Sequence, residues 1–244
     1  MEEKDRYAEL AERTARRGIT LFTRFLDLNG QKEASAAARR AGVQCRLFGG
    51  AEGCERQVLA YFDTEPPENA EYPIVCLRIS PRSKRFSEPM AHRDVLGSLM
   101  SLGLERETLG DILTSEDGCL VFCLPSLARI ILDSLEQVGG CDVHCSETEA
   151  PGAVEKKTEE LVLQVVSPRA DAVVAHLFRL SRSDTDELFR SGRVLVDDAP
   201  CSKPEKQLTE GCVLSVRGFG RARYVGVDSV SKKGKQNIRI ALYR

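Results

Sequence analysis

Between residues 169 and 196, apolar positions recur every three or four residues in two bursts. Leu177 and Leu180 close the first, and Leu188 and Phe189 lie in the second. That spacing predicts two short helices whose apolar sides share one seam. Ser181 and Ser183 stand where the second helix starts, and Ser183 is the expected cap. Strand-like runs follow at residues 193–196, 212–216, 222–227 and 237–243. Asp197-Asp198 and Lys232-Lys233-Gly234-Lys235 supply turns between them. Residues 169–243 therefore read as a helix pair followed by a small antiparallel sheet.

The rest of the chain has a different rhythm. Residues 1–43 are expected to be helical, with a face that starts at Tyr7, Leu10 and Ala11. Ile19, Phe22, Phe25 and Leu26 continue it, and Leu28-Asn29-Gly30 breaks it before an Ala-rich helix over 31–41. Residues 44–48 and 57–62 are strand-like, joined by a tight turn at Gly49-Gly50-Ala51-Glu52-Gly53. From residue 73 a second unit begins: strand 73–79, helix 91–102, and a hairpin of 111–114 with 120–124 around Glu116-Asp117-Gly118. A helix over 127–138, ended by Gly139-Gly140, and a strand over 142–146 complete it. The order β-α-β-β-α-β is the ferredoxin-like pattern.

The expected fold is α+β with three small domains. These are a mixed helical N-terminal domain at 1–70, a ferredoxin-like, RNA-recognition-type middle domain at 71–148, and a C-terminal domain at 159–244. Residues 149–158, polar and unpatterned, are the linker.

Charge sharpens this division. Residues 155–244 hold 17 Lys and Arg against 12 Asp and Glu, a net of +5. Residues 1–154 hold 18 against 25, a net of −7. A basic module on an acidic body points to a polyanion as the partner of the module. No run of about 18 apolar residues exists to cross a membrane. The charged N-terminus lacks a signal core, so a cytoplasmic protein with reduced thiols is expected.

The nine cysteines include Cys119-x3-Cys123 and Cys141-x2-His144-Cys145. On a strand, residues four apart lie about 13 Å from each other. That is too far for one zinc ion, whose bonds to sulfur are about 2.3 Å. Buried thiols are the expectation, with no metal and no cofactor.

His92-Arg93-Asp94 echoes a protein-kinase catalytic loop, but Leu99 stands where the metal-binding Asn belongs and no glycine-rich loop precedes it. Helix-start capping by His92 and Asp94 is the simpler reading. Gly49 to Gly53 lacks the Lys-Ser/Thr ending of a phosphate loop. No catalytic set emerges. Arg82, Lys84, Arg85 and Arg93 form a second, weaker candidate contact. The strongest basic segment is Ser215-Val216-Arg217-Gly218-Phe219-Gly220-Arg221-Ala222-Arg223. Its glycines permit close approach, its arginines match phosphate, and Phe219 is placed to stack on a base.

Two resemblances add to this reading. Arg169-x-Asp171, Ser181-Arg182-Ser183, Leu188, Gly192-Arg193-Val194-x-Val196 and Gly211-x-Val213-Leu214-Ser215-Val216-Arg217-Gly218 together resemble the S-four RNA-binding domain. Ala170 and Cys212 stand where that family usually has Leu and Asp, and Asp184, Asp186 and Glu187 make the second helix unusually acidic. The resemblance implies RNA contacts at Arg169, Arg182, Ser183 and Arg193, with Lys203 and Arg217 as further candidates. Arg221 and Arg223 join them from the basic segment.

The run from His92 through Glu107, then Gly110-Asp111-Ile112-Leu113, is similar to the signature of the YlmH family. So are Phe48-Gly49-Gly50-Ala51-Glu52-Gly53-x-Glu55-Arg56 and the segment from Val216 to Arg221. This resemblance implies a non-catalytic bacterial protein that binds ribosomal RNA on the large subunit. It also implies rescue of stalled nascent chains, with tRNA as a further candidate partner, no membrane partner and a monomeric state. The competing expectations are an RNA-modifying enzyme, such as a pseudouridine synthase with Asp94 or Asp111 as its acid, and a cell-division interaction protein.

Overall fold

The computed structural model describes residues 3–67, 70–83, 90–154, 158–231 and 234–243. The chain forms two compact units, Met1–Val154 and Glu155–Arg244. The architecture is α+β, with three antiparallel sheets among the described residues.

The first unit opens with α1 (Glu3–Arg17), β1 (Leu21–Leu26), α2 (Leu28–Ala41), β2 (Gln44–Phe48) and β3 (Gln57–Phe62). The expected helical run over 1–43 is thus interrupted by a strand. Gly18, at φ +64°, ends α1, and its N–H reaches Thr14 O at 2.9 Å. The Leu-Phe-Thr-Arg-Phe-Leu segment that follows is rich in β-formers and pairs with β3. Asp27 then caps α2, accepting Gly30 N–H at 2.8 Å, so Leu28-Asn29-Gly30 begins a helix where a break was expected. The strands are ordered β1-β3-β2, and Tyr7, Ala11, Ala34, Leu59 and Tyr61 form the core beneath the two helices.

Next come β4 (Val75–Pro81), α3 (His92–Ser101), β5 (Leu109–Ser115), β6 (Gly118–Cys123), α4 (Pro125–Ser134), β7 (Gln137–Val138) and β8 (Cys141–Glu147). The strand order is β5-β6-β4-β8-β7. Alternate residues of one sheet face (Leu77, Ile79, Cys119, Val121, Val143) pack with Val95, Leu99, Ala128 and Ile131 of α3 and α4. The hairpin expected at Asp117-Gly118 is present, with Gly118 at φ +128°. Gly139-Gly140 does not cap a long helix. The pair turns β7 back onto β8 with both residues at positive φ, because α4 already ends at Ser134. His92 and Asp94 do not cap α3 either. Its N-cap is Ala91, which makes no side-chain bond, and Asp94 pairs with Arg93 at 3.5 Å.

The second unit contains β9 (Thr158–Val165), α5 (Ala170–Phe178), α6 (Arg182–Arg190), β10 (Val194–Val196), β11 (Ala199–Pro200), β12 (Val213–Val216), β13 (Gly220–Val230) and β14 (Gln236–Tyr243). Its sheet runs β11-β10-β12-β13-β14-β9. Strand β9, absent from the sequence expectation, pairs with β14 from Gln236↔Val165 to Tyr243↔Thr158. The expected linker is accordingly ordered at its edges: Ala153 bridges to Glu52, and Thr158 starts β9. Lys84, Arg85, Glu68, Asn69, Lys232 and Lys233 lie outside the described residues. No described helix is long and apolar enough to cross a membrane.

Candidate nucleic-acid interface

The helix pair forms as its spacing requires. Val173, Val174, Leu188 and Phe189 are buried, and Leu177 and Leu180 pack partly buried against them. Arg179 ends α5 in the left-handed region at φ 53°. The cap of α6 is Ser181, not Ser183. Ser181 Oγ accepts Asp184 N–H at 3.2 Å and donates to Asp184 Oδ2 at 2.6 Å. Ser183 is already helical, too late to reach a first-turn amide, and its hydroxyl lies 2.9 Å from that of Ser181. Asp184 is therefore part of the cap, where the helix dipole favours an acid.

The candidate basic residues separate into two groups. Three are committed within the fold. Arg169 grips Asp171 with two bonds, at 3.0 and 2.6 Å. Arg193 donates through Nε and Nη2 to the Arg217 carbonyl, at 3.1 and 2.6 Å. Arg221 reaches both oxygens of Asp198, at 3.0 and 3.2 Å, from a turn whose two aspartates sit at φ 52° and 62°. Arg182, Ser183, Lys203, Arg217 and Arg223 are exposed. Arg223 is steadied by Tyr243, whose hydroxyl accepts its Nε–H at 3.2 Å. Arg182, Lys203 and Arg217 have no ion pair among the described residues.

Arg169 and Arg182 line a hollow of about 480 Å³ between α5 and α6, floored by Ala172 and Ala175. Asp171 and Asp186 line it as well, so carboxylates balance the guanidiniums there. The positive excess lies instead at Lys203 and around the β12–β13 turn. There Phe219 is 44% exposed. Tyr243 and Phe178, which hold Arg223 and Phe219, were missed from sequence. The alternation of residues 238–243 places Tyr243 on the outer sheet face, a signal that was available.

The five-stranded sheet in the first unit offers no comparable surface. Its helix-free face carries Cys76 and Phe122, at 6% and 0% exposure, packed against Phe25, Ala51, Cys54 and Val58. Two glycines seat the Phe122 ring. A methyl on Gly50 would lie 2.4 Å from its Cδ1, and one on Gly110 would lie 2.8 Å from its Cβ. Val121, next to it, points into the helix-side core. Neither central strand, β4 or β6, presents an exposed aromatic ring on which a base could stack.

The remaining candidates fall elsewhere. Asp111 is buried and accepts the Glu55 and Arg56 amides, at 2.7 and 2.9 Å. Arg56 in turn donates to Leu109 O, Phe25 O and Arg106 O. Burial, and Arg56 beside it, push the Arg106 guanidinium down to about 10. Arg82 donates to Val143 O at 2.9 Å. Cys119 and Cys123 are buried thiols on β6, each pushed up to about 12 by burial. Among the described residues, no group of His, Cys, Asp and Glu is placed to hold a metal ion.

Comparison with known proteins points to RNA through the middle of the chain rather than through the second unit. A family model described as "Putative RNA-binding domain in YlmH" matches residues 67–151. The chain is 30% identical over 222 residues to "Ribosome-associated protein quality control protein P2" of Bacillus subtilis (strain 168), covering 89% of this chain and 85% of that protein. Among solved structures, it is similar to "Cell division protein ylmH from Streptococcus pneumoniae", with a TM-score of 0.52 at 20% identity. That match covers 60% of this chain and 88% of the other, and the likeness is one of fold. Matched in its middle by the family's own domain model and along most of its length by a curated relative, the chain belongs to the YlmH family.

Proposed function

We propose that this is a non-catalytic RNA-binding protein of ribosome-associated quality control. It acts on structured ribosomal RNA of the large subunit carrying peptidyl-tRNA, and residues 159–244 are an S-four RNA-binding domain that makes the contact. The name of the Bacillus subtilis relative supports the setting. The strand order β5-β6-β4-β8 with both helices on one face supports a ferredoxin-like middle fold.

The observation that carries the reading is the division among the arginines. Arg169, Arg193 and Arg221 brace the second unit. Arg182, Arg217 and Arg223, with Lys203, stand exposed at the start of α6, along the turn and on the sheet that follows. Exposed guanidiniums on a rigid frame match phosphate oxygens, and structured RNA is recognised largely by shape. Neutralised phosphates release counterions, so affinity falls as salt rises. Ultraviolet crosslinking of the full chain in cells, followed by sequencing of the attached RNA, tests the reading. Large-subunit RNA is expected. Recovery of background RNA alone would overturn it.

A further inference from the structure

We infer that Phe219 is a stacking platform for an unpaired nucleobase, and that Arg193 is the residue that positions it. This deepens the RNA-binding reading and rests on it. Phe219 sits on the β12–β13 turn, Arg217-Gly218-Phe219, with 44% of its surface exposed. An isolated exposed Phe needs no explanation. This one is built into place.

The Phe178 ring lies 5.7 Å from it at 54°, and the Arg193 guanidinium lies 5.7 Å from its centroid. Arg193 is itself fixed by two bonds to the carbonyl of Arg217, in the same turn. Gly218 takes φ +87°, which side chains rarely adopt, and a methyl there would displace the Arg193 guanidinium, whose Nη2 would lie 2.5 Å away. Gly220, at φ +153°, lets the chain pass beside Phe178, 3.4 Å from where its own methyl would be.

The turn is thus locked from beneath while the ring stays accessible. Exposed Arg217 precedes the ring, and exposed Arg223 lies in β13 beyond it. An aromatic face flanked by cations is the arrangement that takes a splayed base together with its phosphates. A base within a continuous duplex is already stacked and cannot use it. The ligand class is therefore RNA with an unpaired loop or bulged nucleotide, and Arg193 acts through the ring rather than on phosphate.

The chain has no tryptophan, so Phe219→Trp introduces a single fluorescent reporter at the platform. The full chain would be titrated with a synthetic RNA hairpin bearing an unpaired loop and with the same stem as a blunt duplex. The Trp emission is expected to be quenched by the hairpin and not by the duplex. Phe219→Ala is expected to weaken hairpin binding by roughly tenfold, one stacked base, without changing its salt slope. If wild type binds the hairpin but the emission does not move and Phe219→Ala binds equally, stacking is wrong while RNA binding stands. If wild type binds neither RNA at low salt, both readings fall. If the emission responds only to RNase-treated ribosomal proteins, the platform takes a protein and the inference is overturned.

Discussion

Asp111 and Arg56 hold each other from both ends: the Asp111 carboxylate accepts the Arg56 amide at 2.9 Å, while the Arg56 side chain returns to Leu109 O at 3.0 Å. The pair ties the Gly49-to-Arg56 loop of one sheet to β5 of the other. The loop and β5 are distant in sequence. They form a structural joint, which disfavours Asp111 as the acid of a modifying enzyme.

Asp111→Ala removes acceptors from two buried amides. Hydrogen bonds to charged groups contribute about 1.5–3 kcal/mol each, so a loss of about 3 kcal/mol is expected. Asp111→Asn keeps one acceptor oxygen and loses about half as much. Urea unfolding and hydrogen exchange at the Glu55 and Arg56 amides measure both. Unchanged protection of those amides in Asp111→Ala would refute the joint.

Phe122 fills the sheet face on which an RNA-recognition fold would place its bases, and its ring has no exposed surface. Phe122→Ala should cost about 3–5 kcal/mol, the range for truncating a buried Phe. RNA affinity, measured on the folded fraction, should stay at the wild-type value. A large affinity loss in a variant that remains folded would show that this face opens to bind.

Two buried thiols give the first unit an alkaline limit. Cys119 and Cys123 are pushed up to about 12 from a starting value of 9.0, mainly by burial. With the folded value above the unfolded one, their stabilisation is complete below about 9. It is lost as pH rises toward 12, because only the unfolded chain releases the protons. The decline is about 1.4 kcal/mol per pH unit for each thiol. Urea midpoints measured from neutral pH upward should show it, and Cys119→Val with Cys123→Val should make it shallower, leaving the part that Tyr72 and the other buried thiols contribute. An unaltered alkaline slope in that double variant would exclude these thiols as the cause.

Arg193 and Arg217 should separate by kind of effect. Arg193→Ala should lower the melting temperature, because its two bonds brace the turn. Arg217→Ala should leave the melt unchanged and reduce the salt slope of RNA binding by up to about 0.9, one phosphate. Thermal melts and titrations at several salt concentrations distinguish them, and equal melts would contradict the division.

What the sequence disclosed follows the range of the interactions. The helix pair, the Asp117-Gly118 hairpin and the middle strands were legible because neighbouring residues set them. Strand β1 was not: apolar residues at 21, 22, 25 and 26 satisfy both helical and strand spacing, and pairing with β3 decides between them. Strand β9 was hidden because its first three residues, Thr158, Glu159 and Glu160, are polar and follow a charged stretch. At the site, the residue types were right and their roles were not. The commitment of Arg193 depends on a carbonyl 24 residues away, and that of Arg221 on an aspartate 23 residues away. The Arg169–Asp171 pair was local enough to anticipate.

We propose that exposed basic residues of the second unit carry this protein onto the large subunit. Co-sedimentation of the full chain with purified large-subunit particles tests it most directly, comparing wild type with the Arg182→Ala, Arg217→Ala, Arg223→Ala triple variant over increasing salt. The account predicts that wild type sediments with the particles and is released progressively by salt, and that the equally folded triple variant remains in the supernatant. Co-sedimentation of the triple variant at the wild-type level would contradict it.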